Sequence, residues 1–160
     1  MCSSDLDDVK QDTKDPSYAF GAHFVEARVS TVSGETRIPR MVSVFAAGTI
    51  LNPKLARSQL LGGMTMGVSM ALHEIGVMDR EFGDYLNHDL AQYHVASIAD
   101  IGDFEAYTVD EVDDQLNPLG AKGVGEIGIV GTAAAVANAV FHATGRRVRD
   151  LPIRLDRLVG

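Results

Sequence analysis

Apolar and polar residues alternate in two stretches near the start of the chain, around Phe20, Ala22 and Phe24 and then around Met41, Val42, Val44 and Phe45. A period of two predicts strands, and Ser33-Gly34-Glu35 between them predicts a hairpin, with Gly34 supplying the turn. Pro39 cannot donate to a ladder, so it predicts an edge or a bulge in the second strand. At Asn52 the pattern changes. Asn52 suits an N-cap and Pro53 the first helical position of a helix running through "NPKLARSQLLGGMTMGVSMALHEIG". Gly63, Gly67 and Ala71 fall every four residues and make a smooth stripe. Each of Gly62, Gly63 and Gly67 costs a helix about 1 kcal/mol relative to Ala, so the stripe predicts the close approach of another element.

Beyond the helix, "DREFGDYLNHDL" is a polar loop, and Tyr93 to Ile98 and Phe104 to Val109 are short strand-like runs. From Ile127 to Ala143 the chain is almost wholly apolar, which predicts one helix buried on all sides and ended by Gly145. The mixture of hairpin, helices and separated strands predicts an α+β fold and not an alternating βαβ unit. Residues 1–16 are acidic and nearly free of large apolar side chains, so they are expected to form a disordered or foreign leader to a domain spanning 17–160.

The segment "GAKGVGEIGIVG", residues 120 to 131, contains G-x-G-x-x-G at Gly123, Gly125 and Gly128. A dinucleotide fingerprint needs a buried strand immediately before its first glycine. Here "QLNPLGAK" precedes it, with Pro118 and Gly120, so that reading fails on context. A glycine loop that opens a helix still offers unpaired N–H groups to an anion, without a Cβ in the way at Gly123 and Gly125. Lys122 adds a point charge that phosphates favour. Glu126 has two readings from pattern alone: a first-turn acid stabilising the helix dipole, or a carboxylate walled by Val124 and Ile127 and acting as a general base.

Charge and cysteine usage remove several classes. A formal charge of −8 would repel nucleic-acid phosphates. The single cysteine, Cys2, excludes a disulfide framework, a Cys-rich zinc site and an iron–sulfur cluster held by this chain alone. No run of about 18 apolar residues is read from the sequence, so no membrane span is expected. A basic segment followed by an apolar one is lacking at the start, which gives a cytoplasmic expectation, with export alongside a partner as the alternative.

"NPLGAKGVGEIGIVGTAAAVANAV", followed by "RVRDLPI", resembles the C-terminal part of the molybdenum hydroxylases, the xanthine oxidase and aldehyde oxidase family. "GTILNPKLARSQLLGGMTMGVSMALHE" is similar to the same family's asparagine-proline, glutamine and double-glycine segment. The likeness runs from about Ser17 to Gly160 and is greatest to the bacterial aldehyde-oxidising type, whose large subunit is a separate chain. It implies a molybdenum–molybdopterin cofactor, in the cytosine dinucleotide form, with Glu126 as the base that takes a proton from the metal-bound hydroxide. It further implies that Lys122, Gly123, Val124 and Gly125 lie against the cofactor, and that Gln59 and Thr65 face it. Iron–sulfur clusters and FAD would sit on two partner subunits, and an aldehyde or N-heterocycle would be hydroxylated with water as oxygen source. Met66 stands where many members carry a second glutamine, and Ala46 where many carry aspartate. The family's large subunit is several times longer, so the chain corresponds to a C-terminal fragment, inactive in isolation. The alternatives from the residues alone are a standalone module that binds an anionic, nucleotide-like ligand, and a fragment without activity.

Overall fold

The computed structural model describes residues 18–159, so the predicted leader, 1–16, lies outside the described residues. The hairpin forms as expected. Strand β1 (Phe20–Val29) pairs antiparallel with β2 (Thr36–Ala46). The turn between them closes through Ser30 N–H to Glu35 C=O at 2.9 Å, with Gly34 at φ 74°.

Pro39 marks a bulge and not an edge. Glu26 faces Arg40 while Arg28 faces Arg37, so Ala27 alone opposes Ile38 and Pro39. The extra residue shifts the side-chain phase, which is why Ile38 and Met41, three apart, are both buried. On its other side β2 pairs in parallel with β5 (Ile101–Thr108), making β2 the centre of a three-stranded sheet. Gly102 lets β5 come close there, since a Cβ would stand 2.2 Å from the Pro39 carbonyl oxygen. The fold class is α+β as expected, although β2, the following helix and β5 form one parallel crossover.

The structure sets the phase of β1, which the alternation left open, and removes one expected strand. The inward face of β1 is Gly21, His23, Val25, Ala27 and Val29, and Phe20 and Phe24 are 67% and 63% exposed. Gly21 sets this phase, because the Phe45 ring lies 2.6 Å from where its Cβ would be. Residues 93–98 form no strand. Their contacts are made by side chains instead: Tyr93 OH donates to Glu74, and Ala96 N–H to Ser69 Oγ. The polar loop contains a small hairpin of β3 (Met78–Asp79) and β4 (Asp84–Tyr85), tied by Asn87 to Val77 N–H and Ile75 C=O.

Helix α1 (Pro53–Leu72) starts as read, with Asn52 Oδ1 accepting from Leu55 N–H at 3.1 Å. The apolar segment after Glu126 is two helices, α2 (Ile127–Val130) and α3 (Thr132–Thr144). They break at Gly131, where the His23 ring would lie 2.5 Å from a Cβ. Over Ile127–Thr144 the composition is apolar enough to match a membrane span, contrary to the sequence reading. The 13 residues of α3, however, reach about 20 Å against the roughly 30 Å of a bilayer's hydrocarbon. Nor is α3 buried all round: Ala133, Val136 and Val140 are buried, whereas Phe141 is 40% exposed and Val130, in α2, is 70% exposed. Asn138 is exposed and accepts from Arg147, whose guanidinium also sits 4.0 Å over the Phe141 ring.

The glycine stripe of α1 meets α2 and the start of α3. A Cβ on Gly63 would touch Gly128, one on Gly128 would stand 2.6 Å from the Leu60 carbonyl oxygen, and one on Gly67 would strike Thr132. Around this contact lies the core: Ile38, Met41 and Phe45 of β2 with Met64 and Val68 of α1 and Val136 of α3. Met64 belongs to it, whereas Met66 is 58% exposed. Gly128→Ala is therefore expected to destabilise the chain by about 1–3 kcal/mol, because backbone must move. Gly62→Ala, where a Cβ meets nothing within 4 Å, should stabilise it by up to about 1 kcal/mol. Urea unfolding of both variants checks the pair.

Candidate active site

The glycine loop is fixed from behind by the end of β2. Thr49 N–H donates to Gly120 C=O at 2.7 Å and Lys122 N–H to Ala47 C=O at 3.0 Å, and Gly48 and Ala121 form an antiparallel bridge. Gly48 (φ 63°) and Gly120 (φ 62°) adopt the left-handed conformation here. Gly48 has a second reason to lack a side chain: a Cβ would lie 2.1 Å from the Gly120 carbonyl oxygen.

Lys122 does not present its charge to a ligand. Its side chain is only 8% exposed, and Nζ donates to Glu111 at 2.7 Å and lies 3.1 Å from Asp113. The other Glu111 oxygen accepts from Gly48 N–H at 3.1 Å. The Lys122 ammonium, then the Gly48 N–H, hold the Glu111 carboxyl below the usual glutamate range. Glu111 raises Lys122 above the usual lysine range, against the opposing effect of burial and with help from Asp113. Both groups are thus charged throughout neutral pH. Glu111 and Asp113 were not found from the sequence, because an acidic pair in a loop carries no periodic or motif signal.

Beyond Lys122 the loop opens. Gly123 and Gly125 are exposed, and a Cβ on either would meet nothing within 4 Å. Among the described residues no hydrogen bond engages the N–H groups of Gly123, Val124, Gly125 and Glu126. Gln59, on α1, donates its side-chain amide to the Gly125 carbonyl at 2.9 Å, so it steers the loop's peptide planes. Gln59, Val124 and Lys122 line a groove of about 320 Å³ together with residues 49–52 and 55–56. Thr65 is half-buried and lies outside this lining. Six residues along a helix turn it away from the face of Gln59, whereas Met66, seven along, returns to that face. A larger concavity of about 630 Å³ is lined by Gly76, Tyr85, His88 and Tyr93, and none of the sequence-predicted residues reaches it.

Glu126 is exposed at the N-cap of α2, and its side chain makes no capping hydrogen bond. Its backbone carbonyl accepts from Ile129 and Val130 N–H, so the main chain performs the helix start and leaves the carboxylate unengaged. The half-buried Val124 and Ile127 flank it without enclosing it. Under the turn, His23 Nδ1 is 2.7 Å from Ser43 Oγ, and its ring packs edge-on to Phe45 and hydrogen-bonds the Ile127 backbone.

A family profile for the molybdopterin cofactor-binding domain matches residues 4–102, more than half of the chain. This chain belongs to that family. Over 140 residues the domain is 52% identical to the aldehyde oxidoreductase molybdenum-binding subunit PaoC of Escherichia coli, covering 88% of this chain and 19% of that protein. It is 37% identical over 150 residues to an E. coli xanthine dehydrogenase molybdenum-binding subunit, covering 94% and 20%. The crystal structure of an aldehyde oxidoreductase from Desulfovibrio desulfuricans superposes with a TM-score of 0.78 at 32% identity, covering 88% of this chain and 15% of that one. The molybdopterin-binding domain described here thus spans about a fifth or less of the relatives it matches. The family match covers α1 and Gln59 and stops before the glycine loop.

Burial pushes the His23 imidazole below the usual histidine range, with its backbone bond to Ile127 opposing. The folded chain therefore favours neutral His23 more than the unfolded chain does. This stability is present above the ordinary histidine pKa and is lost as pH falls from there through the lowered value. Thermal unfolding between pH 7.5 and 5 should show a decline that His23→Asn reduces by a few degrees. Identical slopes for both proteins would contradict this.

Proposed function

We propose that this chain is the C-terminal cofactor-binding segment of a molybdenum hydroxylase that oxidises aldehydes or N-heterocycles with water as the oxygen source, and that Glu126 is its general base. The observation that carries the reading is an exposed carboxylate without a capping role, on a loop whose neighbouring N–H groups and glycine faces are open. The loop suits a phosphate-bearing pterin: two glycines leave the backbone approachable, and the unengaged N–H groups can donate to acceptor oxygens. Gly123, Val124 and Gly125 would hold the cofactor from one side through main-chain donors, and the Gln59 amide would border it from the other. Lys122 serves by fixing the loop. Thr65, half-buried and outside the groove lining, keeps its place in the proposal through the family resemblance. When bound, molybdenum–molybdopterin supplies a two-electron acceptor and a Lewis acid that polarises the reacting oxygen.

What Glu126 does follows from its position. A carboxylate at the tip of a tethered turn can accept a proton without giving up a structural bond, and its neighbours Val124 and Ile127 offer an apolar flank. The relatives named above are molybdenum-binding subunits, and another relative is the gamma subunit of a dehydrogenase complex from Paenarthrobacter nicotinovorans. Their names support a multi-subunit assembly; the proposal places iron–sulfur clusters and FAD on partner subunits, with electrons leaving toward those groups. The cytosine dinucleotide form of the pterin and a cytoplasmic site are part of the same proposal. The exposed Phe20, Phe24 and Val130 fit a chain that packs against the remainder of a larger subunit.

In the complete complex, Glu126→Gln should lower kcat by about 10²- to 10⁴-fold at unchanged molybdenum content, the range expected for loss of a general base. Unchanged turnover with full molybdenum would remove Glu126 from the reaction.

A further inference from the structure

We propose that Glu111 is a positioning residue of this site, setting the height and tilt of the Gly123–Glu126 turn through Lys122. The proposal rests on the reading of that turn as the working loop. Glu111 follows β5, and its carboxylate joins two chain segments: the end of β2 at Gly48 and the glycine loop at Lys122. The two oxygens divide the task, one accepting from the Gly48 N–H and the other from Lys122 Nζ. Asp113 adds a second carboxylate at 3.1 Å, so the ammonium is held from two directions.

The geometry makes this more than a surface ion pair. Lys122 is 8% exposed and Glu111 29%, which limits screening by solvent. Gly48 stands opposite Glu111 at a separation of 63 residues. That is the offset the β2–β5 ladder keeps from Ile38↔Ile101 to Phe45↔Thr108. The carboxylate therefore continues the sheet's register past its last paired residues and passes it to the loop. Behind Lys122 the loop has two main-chain ties, Thr49 to Gly120 and Lys122 to Ala47, while Gln59 holds it ahead at Gly125. Without Glu111, the Lys122 ammonium would keep one carboxylate partner, and the Gly48 N–H would lose its acceptor. The loop could then slide along the end of β2, and Glu126 would move with it.

Residue-resolved amide exchange on the 160-residue chain reads the first half of the proposal. Glu111→Ala and Lys122→Met should each speed exchange at Thr49 and at position 122 by roughly tenfold or more, with Val68 and Val140 unchanged. Lys122→Arg, which keeps the ion pair, should stay near wild type. Glu111→Gln, which keeps an acceptor and the side-chain shape, should fall between them and serves if the alanine variant does not fold. Unaltered exchange at Thr49 and at position 122 in Glu111→Gln and Lys122→Met would overturn the proposal.

The second half is read in the complete complex as kcat per bound molybdenum. Glu111→Gln should lower it by roughly tenfold while KM for the aldehyde stays within about threefold, and Lys122→Arg should retain most of it. A mobilised loop with unchanged kcat per molybdenum would leave Glu111 a purely structural group and defeat the proposal. Failure of the base assignment looks different: Glu126→Gln would keep full turnover, while Glu111→Ala would still accelerate exchange.

Discussion

The contact between the glycine face of α1 and the start of α2 and α3 determines where everything else in this chain can sit. Leu60, Gly63 and Gly128 meet backbone to backbone, and Gly67 accepts the Thr132 side chain. No side chain of ordinary size fits between the helices, so their axial positions are locked by hard contact and not by adjustable packing. Since Gly128 lies two residues past Glu126, locking α2 also fixes the exit of the loop. Its entry is fixed by the end of β2. A short turn pinned at both ends has few conformations left, which is what a carboxylate without a bonding partner needs if it is to keep one position.

A division of labour follows between charge and dipole. The one lysine in the loop is neutralised by carboxylates behind it, so the open side of the turn carries no cationic side chain from the loop itself. On the proposed reading, attraction for an anionic group there would come from main-chain N–H dipoles, which are fixed in direction and need no reorganisation. His23 contributes similarly. Half-buried between Ser43 and Phe45, where burial disfavours its charged form, it supports the break at Gly131 as a shaped wedge.

Local features were legible in the sequence where one residue type has one physical use. Asn52-Pro53 announced the helix start, Gly34 the hairpin turn, and the four-residue glycine spacing a close contact. The loop and its glutamate were legible as a motif, although which side chains engage a ligand was not. Lys122 looked like a phosphate binder because the acids that neutralise it lie 9 and 11 positions away in an aperiodic stretch. The phase of β1 was not legible, because its outward residues, Phe20 and Phe24, are more apolar than its inward Gly21 and His23. Hydrophobicity alone assigns such a strand backwards when both sides are apolar. The single apolar run split at Gly131 for a reason no local pattern contains, the ring of a histidine more than a hundred residues earlier.

The shared offset between the β2–β5 ladder and the Gly48–Glu111 bond has a kinetic side. Parallel pairing across α1 closes a long stretch of chain, and that entropy must be lost before any of the ladder's bonds can form. The loop tether uses the same closure, so it cannot assemble before β5 has found its place beside β2. The hairpin and α1, built from near neighbours, are free to form first. A slip of β5 by one residue would carry Glu111 one strand step, about 3.3 Å, past Gly48 and turn its side chain to the other face of the sheet. Completion of the site thus doubles as a proofreading step for the sheet, with the last elements to dock being the ones that verify the alignment of the rest.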